Sequence, residues 1–120
     1  MSDITSELLQ KWTGAVKYGD ANQVVSLYHN DGILLGTFSN KERIGRGLIL
    51  EYFENLLKSP VEVEIVSEHP NGFESIAVNS GLYNFVTEGK TINARFSFVY
   101  TETNDGWKIV SHHSSVMPET

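Results

Sequence analysis

Five consecutive polar residues, Ser111-His112-His113-Ser114-Ser115, stand between Ile109-Val110 and Val116, in a segment that otherwise reads as a buried strand. Polar side chains in a sheet must be solvated, paired or functional. The two histidines suggest a metal site, but neighbouring strand residues point to opposite faces and do not chelate one ion together. With no cysteine in the chain and no third ligand at a matching spacing, no metal is expected. Ser114 and Ser115 lie beside histidines, yet the chain has no G-x-S-x-G elbow, so nucleophilic catalysis has little support. Proton transfer is the remaining chemistry: Tyr28, Asp31, Tyr83 and His112 are the groups that a closed fold would have to bring together. Of these, Tyr83 and His112 are the candidate acid–base pair. The bland alternative for both tyrosines is a core aromatic ring with a bonded hydroxyl. Gly45-Arg46-Gly47 lacks the spacing of a phosphate-binding loop, and no cofactor is expected.

The elements that must hold these residues follow from periodicity. Ile4, Leu8, Leu9, Trp12, Ala15 and Val16 recur at helical spacing, with Ser2 or Asp3 as a cap and Gly19 as a stop. Asp20 and Gln23 resemble a capping box for a short second helix burying Val24, Leu27 and Tyr28. Residues 32–38 read as a strand. A third helix carries Leu48, Ile49, Tyr52, Phe53, Leu56 and Leu57, and Ser59-Pro60 stops it.

Beyond residue 60 the period changes to two. Val61, Val63 and Ile65 alternate with Glu62 and Glu64. His69-Pro70-Asn71-Gly72 is a turn, 73–87 a long strand, and Glu88-Gly89 a second turn. In the strand 91–103, Ile92, Ala94, Phe96, Phe98 and Tyr100 point one way; Asn93, Arg95, Ser97 and Thr101 point the other. A hairpin turn at Asn104-Asp105-Gly106 leads into a last strand from Trp107 to about Met117. Helices followed by long antiparallel strands define an α+β domain, with N-terminal helices packed on a curved sheet and a cavity between them.

Which histidine faces the helices depends on the last hairpin. A two-residue turn at 105–106 puts His113 beside Phe96 and Phe98; a three-residue loop at 104–106 puts His112 there. A slip of one residue reverses every side chain.

Composition bounds the rest. The 120 residues fit one domain, 1–120, with 40% hydrophobic and 20% charged residues. A net charge of −6 with scattered acids disfavours nucleic acid. No apolar run has the length of a membrane span, and the N-terminus lacks the pattern of a signal peptide, so a cytoplasmic protein is expected.

The run YFENL at 52–56, the Gly19-Asp20 break, Lys90-Thr91 and the tail from Trp107 to Pro118 resemble the association, or hub, domain of calcium/calmodulin-dependent protein kinase II and its stand-alone relatives. Those domains belong to the nuclear transport factor 2-like superfamily. The resemblance implies a cone of helices on a curved sheet, often with a deep pocket, and dimers that pack through sheet faces and build rings. It also selects a register: His112 and Ser114 inward, and Arg95, Ser97, Ser111, His113 and Ser115 outward toward a partner copy. The arginines with which kinase hubs hold carboxylates correspond here to Gly81, Phe98 and Ser114, none of them basic. The pocket so implied is mostly apolar, lined by Tyr28, Tyr83, Phe85 and Phe98 with His112 and Ser114 as polar handles. The expected function is therefore homo-oligomerisation with a small apolar ligand. A proton-transferring isomerase or cyclase and a non-catalytic carrier are the alternatives.

Overall fold

The computed structural model describes the backbone of residues 2–119 and the side chains of residues 4–119. The side chains of Ser2 and Asp3, expected to cap the first helix, lie outside the described residues. Helix α1 (Ser2–Tyr18) turns its Leu9, Trp12 and Val16 stripe onto the sheet and ends at Gly19, whose φ of 94° closes the helix through a bond from its amide to the Ala15 carbonyl. Helix α2 (Ala21–Val25) is capped by the Asp20 carboxylate, which accepts from the Asn22 amide at 2.9 Å. Gln23 bonds back through its own amide to the Asp20 carbonyl, a 3₁₀-type bond of the first turn rather than the side-chain half of a capping box.

Strand β1 (Tyr28–Leu35) begins four residues earlier than the sequence pattern suggests and stops before Gly36. Tyr28 therefore starts a strand instead of closing α2. The cause is tertiary: β1 pairs in parallel with β7 (Gly106–Val116), Tyr28 opposite Ile109, and the Ile109 amide donates to the Leu27 carbonyl at 2.9 Å. The two-residue β2 (Arg43–Ile44) leads into α3 (Arg46–Leu56), which buries Ile49, Tyr52 and Phe53. Strands β3 (Val61–Glu68), β4 (Asn71–Gly72), β5 (Ile76–Thr87) and β6 (Lys90–Thr103) complete a sheet of order β2-β1-β7-β6-β5-β3, with β4 on β5. Every pairing except β1 with β7 is antiparallel. The β5–β6 turn places Glu88 and Gly89 at φ 53° and 75°, the left-handed pair that a two-residue hairpin requires.

The register of the last hairpin is set by neither of the two loops considered from the sequence. Asn104-Asp105 forms a two-residue turn that pairs Thr103 with Gly106 and Tyr100 with Ile109. One extra residue, Val110, is then accommodated, so that Val99 faces Ser111 and Phe98 faces His112. An unbroken ladder would have set His113 opposite Phe96. The bulge moves the tail by one place and sends His112 and Ser114 into the core, 2% and 4% exposed, while Ser111 and His113 face out.

Candidate functional site

The six residues expected to line a pocket do converge on the inner face of the sheet. They do so as a packed cluster. Tyr28, Tyr83 and Phe98 are 0% exposed and Phe85 and His112 are 2%, so no space the size of a water adjoins the first three. Phe98 lies flat on the His112 ring, centroids 3.9 Å apart. Trp12 from α1 fills the remaining room, stacked on Tyr83 and edge-on to Phe98 and His112. The cavity pictured between helices and sheet is thus occupied by side chains at this level.

Hydrogen bonds thread the cluster. The Trp12 indole N–H donates to the Tyr28 hydroxyl at 3.1 Å, and that hydroxyl lies 2.8 Å from His112 Nδ1. His112 Nε2 is 3.2 Å from the Tyr83 hydroxyl, which donates to Ser114 Oγ at 2.5 Å. Ser114 in turn is bonded to Thr37 Oγ1. Burial, with His113 a lesser cause, lowers the His112 pKa to about 3; burial also raises both tyrosines. All three groups are therefore neutral near pH 7. That suits a structural network better than the proton shuttle considered for Tyr83 and His112.

Asp31 does not join this group. It is exposed on the irregular stretch of β1 between Tyr28 and Ile33, where its amide bonds to His29. Among the described residues no three histidine, aspartate or glutamate side chains gather as a metal site, and His112 and His113 lie on opposite faces.

A loop that no local sequence signal marks out covers one side of the cluster. Gly36 lies so close to Tyr52 that a Cβ would overlap the ring. Thr37 bonds to Ser114, and Phe38 sits edge-on to Phe85 at 5.3 Å. Outside this plug is a cavity of about 480 Å³ between Phe38, Tyr52, Leu56 and Ile92, with Arg43 in its wall. The Arg43 guanidinium is buried under Ser39 and paired with Glu51, which holds that carboxylate below its usual range. Sequence reading missed Trp12, Thr37, Phe38 and Arg43 as members of the site. Only Trp12, a large ring with a polar handle on a buried stripe, carried any local signal.

On the opposite face of the sheet Arg95, Ser97, Ser111 and His113 are exposed and Ser115 is half-buried. Ser80 and Ser97 bond across β5 and β6 at 2.8 Å. Ile33 and Leu35 of β1 continue this face at 40% and 41% exposure. Gly81 has no room for any side chain: a Cβ would overlap the Ser67 carbonyl at the bulge in β3.

Helices packed on one face of a long curved sheet make a cone-shaped α+β fold. The chain belongs to the SnoaL-like domain family, whose model matches residues 6–119. It is similar to a protein from Xanthomonas campestris described as a "putative calcium/calmodulin dependent protein kinase II association domain", at 36% identity, covering 96% of this chain and 86% of that one, with a TM-score of 0.89. An NTF2-like protein of unknown function from Pseudomonas putida aligns over 100% of this chain and 91% of its own at 16% identity and a TM-score of 0.86. A "putative ketosteroid isomerase" from Parabacteroides distasonis aligns over 95% and 88% at 20% identity and a TM-score of 0.82. The last two likenesses concern the fold alone.

Proposed function

We propose that this protein is a homo-oligomerising, hub-like domain, dimeric at least, that assembles through the open face of its sheet. The carrying observation is that face: Arg95, Ser97, Ser111 and His113 stand exposed on the central strands β6 and β7, flanked by exposed Ile33 and Leu35. A central sheet face of short serines with apolar residues beside it is shaped for another sheet, and a two-fold pairing uses the same patch twice. The likeness to the Xanthomonas protein supports the reading. Light scattering on a sizing column tests it: a dimer or larger that Arg95→Glu converts to monomer is the expected result, and a wild-type monomer at micromolar concentration rejects it.

The second part of the reading is a small, mostly apolar ligand at the wide end of the cone. Phe38, 45% exposed, lines the outer cavity and packs edge-on to Phe85. Once it swings away, Phe85 is uncovered, with Tyr83 packed behind it and bonded to His112 and Ser114. Phe38→Ala is expected to raise binding of a hydrophobic dye; unchanged binding removes this part. The acidic surface leaves nucleic acid out of the reading. No described helix is long and apolar enough to cross a membrane.

A further inference from the structure

The thread through the core has a direction, and one atom fixes it. An indole N–H only donates, so Trp12 Nε1 makes the Tyr28 oxygen an acceptor at 3.1 Å. Tyr28 is 0% exposed, and its remaining polar neighbour is His112 Nδ1 at 2.8 Å. The Tyr28 proton therefore goes to Nδ1; otherwise a buried hydroxyl proton has no acceptor. A neutral imidazole carries one proton, which then sits on Nε2 and is donated to the Tyr83 oxygen at 3.2 Å. Tyr83 passes its own proton to Ser114 Oγ.

Two arrangements remain for the Ser114–Thr37 pair, and both have the same outcome. Either Ser114 donates to Thr37 and the Thr37 proton is left over, or Thr37 donates to Ser114 and the Ser114 proton is left over. Among the described residues neither hydroxyl has a further acceptor. Both residues line a groove of about 450 Å³ between residues 35–42 and residues 113–116 of β7, with Leu35 and Val116 as its apolar walls.

We propose that this groove is a binding site for a small molecule carrying a carbonyl-type oxygen, which accepts the last proton of a one-way hydrogen-bond chain running from Trp12 to Ser114 and Thr37. Trp12 is a positioning residue here. It touches no ligand, but its N–H orients every hydroxyl between itself and the groove. The chain couples the groove to the histidine, because lengthening or shortening the last bond polarises the ones behind it. The hydrogen-bond chain lies within one copy, while the groove shares Leu35 and His113 with the face proposed for assembly.

Nitrogen-15 spectra of the histidine side chains in the whole protein test it. The wild type is expected to show His112 as the Nε2–H tautomer. Acetone, which has the acceptor, is expected to shift both His112 nitrogens saturably, and its isostere isobutene, which lacks one, to leave them unmoved. In Ser114→Ala the acetone shift at His112 should be lost. In Trp12→Phe, where the fixed donor is gone, His112 should become a mixture of tautomers; if that variant does not fold, the wild-type and Ser114→Ala spectra still decide. An Nδ1–H tautomer in the wild type, no acetone shift, or equal shifts from the two probes overturns the proposal.

Discussion

His112 stands opposite Phe98 across β6 and β7, and the two rings lie face to face, planes 15° apart and centroids 3.9 Å apart. A ring held in that sandwich and bonded on both nitrogens has no water to solvate a charge. Its pKa falls from the ordinary 6.5 to about 3.

That shift makes stability depend on pH. Between about pH 6.5 and pH 3 the unfolded chain holds a proton on this ring and the folded chain does not. Stability is therefore complete above the unfolded value and declines as pH falls, with a slope from this group of about 1.4 kcal/mol per pH unit. Urea midpoints measured from pH 7 to pH 4 check this. His112→Gln should flatten that part of the profile.

Removing the ring should be costly at any pH. His112→Ala leaves a cavity beneath Phe98 and Trp12, strips the Tyr28 hydroxyl of its acceptor and removes one of the two bonds of the Tyr83 hydroxyl. A loss of about 3–5 kcal/mol is expected from cavity formation and unpaired polar groups together. Chemical denaturation reads it, and a loss under about 1 kcal/mol would contradict the packing described.

Gly81 and Gly47 should respond in opposite senses to alanine. At Gly81 the new methyl would collide with the Ser67 backbone carbonyl, so β3 must shift, at about 1–3 kcal/mol. At Gly47, in the first turn of α3, nothing lies within 4 Å, and alanine should stabilise by up to about 1 kcal/mol. Paired thermal melts of the two variants decide.

Arg43 anchors the loop at the mouth of the cone. Its guanidinium bonds to Ser39 and to the Leu48 carbonyl besides pairing with Glu51. Arg43→Met keeps the apolar stem and loses these bonds, for an expected cost of about 1–3 kcal/mol. Glu51→Gln should cost less, because that carboxylate is solvated and half exposed. Hydrogen exchange at residues 36–40 should speed up in the first variant and change little in the second.

Much of the frame was legible because it is written in local periods. The three-residue and four-residue spacing of Leu9, Trp12 and Val16, the alternation of Val61 to Ile65, and the inward set Ala94, Phe96, Phe98 and Tyr100 each name their own buried face. Gly19 and the Glu88-Gly89 pair mark breaks that the backbone obeys. The early start of β1 was not legible, since Tyr28 becomes a strand residue only by pairing with Ile109, far along the chain. Nor was the plug, because nothing in Gly36-Thr37-Phe38 announces that Tyr52, Ser114 and Phe85 will lie beneath it.

The tail shows where the division falls. Two adjacent histidines in a strand must face opposite sides, and that follows from local pattern alone. Which of them faces inward is set by long-range pairing, through a single extra residue at Val110, where β7 meets both β6 and β1. Periodicity is a property of one segment and survives in isolation. Register is a property of pairs, fixed by the best joint fit of all neighbouring strands, and a one-residue bulge costs too little locally to leave a mark in the sequence.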